Sequence, residues 1–190
     1  MPEYPDVEVY VRCLRQHIVD RVVEDARVAS PFVVRTYDPP LSEIVDKHVL
    51  TVDRLGKRIV LGVDDDLHLV IHLMIAGRLR WKERGGKLAR KVGLAAFDFS
   101  DGSLSFTEAG TKKRASIHFV RVRNAVAEFD RGGIEVFDSS IEDFDHSLKC
   151  ENHILKRSLT DPRLFSGIGN ATPMKSFIGR VSHLSSILRN

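Results

Sequence analysis

Three short stretches of this chain carry chemistry by residue type and spacing. The first is Met1-Pro2-Glu3-Tyr4-Pro5-Asp6-Val7-Glu8. With the initiator methionine removed, as is usual before a residue as small as proline, the mature chain begins with Pro2, a secondary amine. An α-amino group titrates at roughly 7.7–8.0, so a useful fraction is unprotonated at neutral pH. A secondary amine attacking an aldehyde carbon gives a charged iminium directly, a good electron sink. Glu3 is adjacent and can pass protons. The second stretch is Gly56-Lys57-Arg58, which sets an amine in a turn between two strand-like runs. The third runs from Asp161 to Asn170. Gly167 and Gly169 permit a tight turn there. Backbone N–H groups at a following helix start can hold a phosphate, and Asn170 can cap that helix and also donate.

The surrounding pattern must position these groups. Pro5 is tolerated in a first helical turn, and Asp6 and Glu8 suit its positive end. Val7, Val11, Leu14 and Ile18 recur at helical spacing, so a helix is predicted from about Pro5 to Val22. From Val28 onward the pattern turns to strands. Val49 to Val52, Arg58 to Val63 and Leu67 to Leu73 are short β-branched runs divided by turn residues. Asp64-Asp65-Asp66 reads as a solvated turn. Asp101-Gly102 is a strong hairpin signal between Leu94 to Ser100 and Ser103 to Thr107. Further strands are predicted over Ile117 to Val122 and Ala125 to Phe129. Such short strands with close turns argue for an antiparallel sandwich. The basic stretch from Lys82 to Lys91, with Gly85-Gly86, reads as a hairpin tip. Ser140-Ile141-Glu142-Asp143 has capping-box spacing, and helices follow at about 141–149 and 152–159. The fold class is therefore α+β. An N-terminal helix and β-sandwich fill residues 1–135, and a helical unit fills 136–190.

The bulk numbers set limits. The 190 residues, 43% of them hydrophobic, can bury a core in one domain or two small ones. No apolar run reaches the roughly 18–20 residues of a membrane span, no signal peptide precedes Pro2, and the cytoplasm is the expected compartment. Cys13 and Cys150 alone suggest neither a disulfide framework nor a zinc site. A net charge of +3 permits a nucleic-acid partner without requiring one.

Pro2-Glu3-Tyr4-Pro5-Asp6-Val7-Glu8 resembles the N-terminus of the formamidopyrimidine-DNA glycosylase/endonuclease VIII family, with Tyr4 where leucine is common. That family excises oxidised bases from DNA and cleaves the strand at the abasic site. The resemblance implies that Pro2 is the nucleophile at C1′ of the damaged nucleotide and Glu3 the general acid/base. Arg54-Leu55-Gly56-Lys57-Arg58 resembles the family's hairpin-lysine segment, which gives Lys57 a role at the phosphates around the lesion and in catalysis. His72-Leu73-Met74-Ile75-Ala76-Gly77-Arg78-Leu79 resembles His-Leu-Gly-Met-Ser-Gly-Arg-Leu, in which the methionine fills the gap left by the flipped nucleotide. Ile75 aligns with it and Met74 lies beside it. An apolar wedge offsets part of the few kcal/mol of unstacking. Leu155-Lys156, Leu159, Asp161 and the run to Asn170 match the family's helix–two-turn–helix, implying that Lys156 and Asn170 bind the backbone beside the lesion. The partner implied is double-stranded DNA bearing an oxidised base or abasic site, bound by a monomer without a membrane.

Two departures stand out. The family's Pro-Arg-Arg-Phe-Gly loop is replaced by Thr107 to Ala115, whose Lys112, Lys113 and Arg114 suit phosphate contact instead. From Ala171 on, the family typically reads Ala-Tyr-Ser-Asp-Glu-Ile-Leu-His-Arg-Ala-Arg-Leu-Ser. Back-translated with one nucleotide removed after the alanine codon, that peptide can be read as Ala171 through Ser182 of this chain. Residues 172–190 are thus expected to be out-of-frame peptide, and the helical unit to be incomplete at its C-terminus. The family's zinc finger, and with it any cofactor, is expected to be missing, and activity to be weakened. The alternatives are a non-catalytic damaged-DNA binder and an unrelated enzyme using an N-terminal proline as base. The helix that follows Pro5 argues against the latter.

Overall fold

The computed structural model describes residues 2–151 and 154–169. Helix α1 (Tyr4–Ile18) starts as predicted, with Pro5 in its first turn and the Glu3 N–H donating to Asp6 Oδ2 at 3.0 Å. Its buried stripe is Val7, Val11, Leu14 and Ile18. Burying each such side chain contributes roughly 1.5–3 kcal/mol, which outweighs the marginal stability of a lone helix of this length. The helix ends at Ile18 rather than Val22. Val19 is extended and Asp20 adopts φ 63°. The β-branched residues here are stiff, and the backbone finds other partners: Asp20 N–H donates to Val49 O (2.9 Å), and Val22 bridges His48.

Among the described residues eight antiparallel strands follow: β1 (Asp25–Val28), β2 (Val49–Leu55), β3 (Arg58–Val63), β4 (Leu67–His72), β5 (Gly77–Lys82), β6 (Gly93–Phe99), β7 (Gly102–Glu108) and β8 (Ser116–Arg121). They form two four-stranded sheets, ordered β1-β6-β7-β5 and β2-β3-β4-β8. The period of two puts Ile59, Leu61 and Val63, Leu67, Leu69 and Ile71, and Ile117 and Phe119 on one inner face. Ala95, Phe97, Phe99, Leu104 and Phe106 come from the other sheet, and the α1 stripe joins the same core. Edge strand β5 shows the one-sided pattern, with Arg78, Arg80 and Lys82 exposed and Leu79 buried.

Helix α2 (Arg123–Ala127) replaces the strand predicted over Ala125 to Phe129. Val122, at φ 64°, turns the chain away from β8, and Asn-Ala-Val-Ala is a fair helix former. Helix α3 (Ile141–Lys149) begins at the predicted capping box, with Ser140 Oγ accepting from Asp143 N–H at 3.1 Å. Helix α4 (Leu155–Thr160) starts later than predicted, and residues 152–153 lie outside the described ones. Val136, Phe144, Leu159, Phe165 and Ile168 make a second core of their own.

The stretch from Lys82 to Lys91 is no loose tip. Arg27 Nη1 donates to Gly86 O (3.1 Å) while pairing with Asp98, and Gly85 N–H donates to Ser103 Oγ (3.0 Å).

One close approach ties the second core to the N-terminus. Tyr4 N–H donates to Gly167 O at 2.9 Å. Gly167 sits at φ +79°, and a Cβ there would lie 3.0 Å from Tyr4 Cβ. A left-handed backbone costs a non-glycine residue about 1–2 kcal/mol. Gly167→Ala is therefore expected to lower the unfolding free energy by at least that much, read as a shifted urea midpoint. An unchanged midpoint would contradict this Tyr4–Gly167 packing.

Candidate active site

Pro2 and Glu3 are both buried, Glu3 to 3% exposure, at the positive end of α1. The elements around them come from distant parts of the chain. The β2–β3 turn carries Lys57, whose Nζ donates to Ile168 O at 2.7 Å. The Tyr4–Gly167 bond holds that same 166–169 turn against the N-terminus. Lys57 is half-buried, and its amine is held below the ordinary lysine range by burial. Glu3 opposes this and Arg58 adds to it. Glu3 and Lys57 are thus close enough to feel each other's charge.

Arg54 braces this junction. Its guanidinium lies over the Tyr4 ring, 4.1 Å from the centroid, and Nη1 donates to Gly56 O at 3.0 Å. It also pairs with Glu135 and stands 3.6 Å from Glu8. Glu135 accepts from Ser166 Oγ as well, and Phe137 packs on Tyr4 at 4.7 Å. The sequence by itself gives Arg54, Glu135, Phe137 and Ser166 no individual role at this site. Glu135 lies 81 positions from Arg54, and no local pattern announces the pair.

His72 ends β4 opposite Arg58 and Ser116. Burial pushes its pKa down to about 4, helped by Arg58, Lys57 and His118. The imidazole is neutral at pH 7. The folded pKa lies below the unfolded value, so the unfolded chain takes up a proton first as pH falls. This residue's contribution is complete above the unfolded value of about 6.5 and declines as pH drops from there towards 4, by at most about 3 kcal/mol. Replacing it, as in His72→Asn, is expected to flatten that part of the stability-versus-pH curve. An equally steep curve in the variant would show that other groups dominate.

The turn after His72 is closed by Gly77 N–H on Leu73 O at 2.9 Å, and a Cβ on Gly77 would lie 2.3 Å from that oxygen. Met74 takes φ 52° and lines a cavity of about 250 Å³ together with Lys57, Arg58, His72 and Gly167. Ile75, at the turn's tip, is 52% exposed, so it is not a core residue. The loop from 109 to 115 sits beside this turn, where a Cβ on Gly110 would lie 3.9 Å from that of Ala76. Lys112, Lys113 and Arg114 are all exposed there. Lys113 Nζ turns back to Glu108 O, and the buried Glu108 carboxylate accepts from the N–H groups of Arg114 (2.9 Å) and Ala115 (3.1 Å). That pinning gives the basic loop a fixed shape.

The structure thus gathers Pro2, Glu3, Lys57, His72 and Met74 around the 166–169 turn. Lys156 is exposed on α4. Asn170 lies outside the described residues, as do residues 172–190. Cys13 on α1 and Cys150 at the end of α3 are both exposed, and among the described residues no group of three or more His, Cys, Asp or Glu side chains could hold a metal ion. The two thiols do not fit the four-ligand set of a structural zinc. No helix among the described residues is long and apolar enough to cross a membrane.

Comparison with known proteins bears on the family and the fold. The family model described as the formamidopyrimidine-DNA glycosylase N-terminal domain matches residues 1–123. The formamidopyrimidine-DNA glycosylase of Ligilactobacillus salivarius is 28% identical over 174 residues, covering 90% of this chain and 63% of that protein. The Mycobacterium leprae protein of the same name is 31% identical over 184 residues, with 90% and 63% covered. Among solved structures, a Lactococcus lactis Fpg variant in complex with Fapy-dG-containing DNA matches with TM-score 0.79 at 24% identity, covering 89% of this chain and 63% of that one. A complex of Lactococcus lactis Fpg with abasic-site DNA gives TM-score 0.78 at 23% identity, covering 88% and 63%. At these identities the structural likeness is one of fold. The chain spans about 63% of the length of the curated relatives it matches. The family match takes in α1, the two sheets and the turns that carry Pro2, Glu3, Lys57 and His72. This chain belongs to the formamidopyrimidine-DNA glycosylase family.

Proposed function

We propose that this chain acts in base-excision DNA repair as a glycosylase with abasic-site lyase activity on double-stranded DNA, through the nitrogen of Pro2. The observation that carries the reading is the convergence of the buried Pro2–Glu3 pair with Lys57 at the Tyr4–Gly167 contact. In this reading residues 1–135 are the catalytic unit and 136–190 a helix–two-turn–helix DNA-binding unit.

The Pro2 lone pair bonds to C1′ of a flipped nucleotide and the C1′–base bond breaks. The base leaves with that electron pair and takes up a proton, while the Pro2 nitrogen gives one up. The C1′–O4′ bond then opens as the nitrogen lone pair forms the C=N bond of the iminium. Glu3 supplies the proton to the departing group and later removes one. The iminium acidifies the C2′ proton; its removal expels the 3′ phosphate, a second elimination expels the 5′ phosphate, and water then hydrolyses the C=N bond, releasing the sugar remnant as an aldehyde and freeing the Pro2 amine.

Lys57, His72, Lys156 and Asn170 hold phosphates around the lesion. A neutral His72 serves there as a hydrogen-bond donor rather than a charge. Ile75, exposed at its turn, is the wedge that enters the stack, with the pocket-lining Met74 behind it. Lys112, Lys113 and Arg114 contact the backbone alongside. The test is a duplex carrying one formamidopyrimidine, followed for free base and for cleaved strand. Release of both is expected; binding with the base and strand left intact would favour a non-catalytic binder.

A further inference from the structure

Strand β5 is an edge. Among the described residues it pairs with β7 alone, so half of the N–H and C=O groups of Gly77–Lys82 point away from the sheet. The other edges are covered or short. Arg15 Nε donates to Val52 O at 2.6 Å on β2, the Arg35 N–H donates to Ile117 O at 2.9 Å on β8, and β1 is four residues long.

A groove of about 250 Å³ runs between β5 and α1. Its wall is apolar: Val9, Tyr10 and Leu14 from α1, with Leu79, Trp81 and Leu104 from the sheet. Val9 lies outside the buried stripe of α1 and is 62% exposed. No carboxylate lines the groove; Arg80 is its charged residue, with His17 on the α1 side. Arg78, Arg80 and Lys82 are exposed in a row on the outer side of β5, and none makes an ion pair with the described residues. Asp101, the carboxylate beside His17, is held by Arg21, and Glu83 lies past the end of the strand.

These features select an occupant. A free edge is completed by an added strand, whose backbone supplies the missing hydrogen bonds. Side chains of such a strand alternate between its two faces. Those opposite Leu79 and Trp81 enter the apolar groove. Those opposite Arg78, Arg80 and Lys82 meet three unpaired cations. A second copy of this chain does not fit: with Leu79 and Trp81 kept on the groove face, β5 against β5 sets arginine and lysine opposite one another, which is destabilising.

We propose that β5 and its groove bind an extended segment of a partner protein in which apolar and acidic residues alternate. The segment adds to the β1-β6-β7-β5 sheet as a fifth strand. The groove shares no residue with the Pro2–Lys57 site, so the proposal is independent of the glycosylase reading.

Trp81 is the only tryptophan of the chain and is half-buried at the groove, so its emission reports occupancy. The full chain is titrated with a capped eight-residue peptide of alternating valine and glutamate. A saturable change in Trp81 emission is expected. Pairing along one edge uses the N–H groups of alternate residues. Methylating the backbone nitrogens of one set, valines or glutamates, is therefore expected to abolish binding, and methylating the other set to spare it. Arg80→Glu and Lys82→Glu, both at exposed positions, are each expected to weaken the glutamate peptide by at least about ten-fold and to favour a valine–lysine peptide instead. The urea midpoint of each variant checks its folding; should one fail, the other variant and the methylated peptides carry the test. No saturable change, equal binding by both methylated peptides and the parent, or unchanged affinity in both variants overturns the proposal. Dimerisation of the chain without peptide, altered by Arg80→Glu in sedimentation, overturns it in favour of a second copy. Weakened duplex binding by both variants, with no binding of the peptide to wild type, overturns it in favour of DNA.

Discussion

Extending the mature N-terminus by one residue that cannot be removed is expected to abolish covalent trapping of abasic-site DNA. The loss should be on the order of 10³–10⁶-fold, the scale on which removing a catalytic nucleophile acts in enzymes. The physical reason is that an amide nitrogen has no lone pair to give to C1′. DNA affinity should fall far less, since the cations proposed to meet phosphates lie on other elements. Trapping that survives the extension would move the nucleophile elsewhere, and Lys57 would be the first place to look.

The second large effect belongs to Glu3→Gln. The substitution keeps the shape and removes the exchangeable proton, so base release is expected to slow by about 10²–10⁴-fold, the usual contribution of general acid–base catalysis. The same change removes the negative charge that supports the ammonium form of Lys57. The Lys57 pKa should therefore drop further in the variant. Single-turnover base release with and without the substitution measures the first effect. An unchanged rate would mean that Glu3 only caps the helix.

Much of this arrangement is legible in the sequence, for identifiable reasons. The stripe of α1 and the alternation in β3, β4, β6 and β7 are periodic, and burial of one face enforces the period. Asp101-Gly102 and the Ser140 capping box are local chemistry, and both stand where the sequence puts them. The errors are equally physical. Val19 to Val22 extends an apolar helical pattern, but tertiary pairing with residues 48 and 49 takes the backbone away from the helix. Ala125 to Phe129 looks strand-like only until the reversal at Val122 is seen. At the site, Pro2 and Glu3 are marked by their own chemistry, and Lys57 by the resemblance of its hairpin segment. Arg54–Glu135 and the cavity beside Arg58 are not. A Lys-Arg pair in a turn reads as solvated, and only the folded chain shows that the 129–131 segment closes over it.

The role of Gly167 joins fold to function. Its backbone carbonyl fixes Tyr4, and the next residue's carbonyl holds Lys57. One turn from the second core therefore sets the distance between the two amines of the site. That turn is a positioning element, so Gly167→Ala should disturb catalysis as well as stability.

The most direct test is to incubate the purified chain with abasic-site DNA and borohydride, digest the adduct and locate the modified residue by mass spectrometry. The predicted result is a reduced sugar–DNA adduct on the nitrogen of a mature N-terminal Pro2. A retained methionine with no adduct, or an adduct mapped to a lysine, would contradict it.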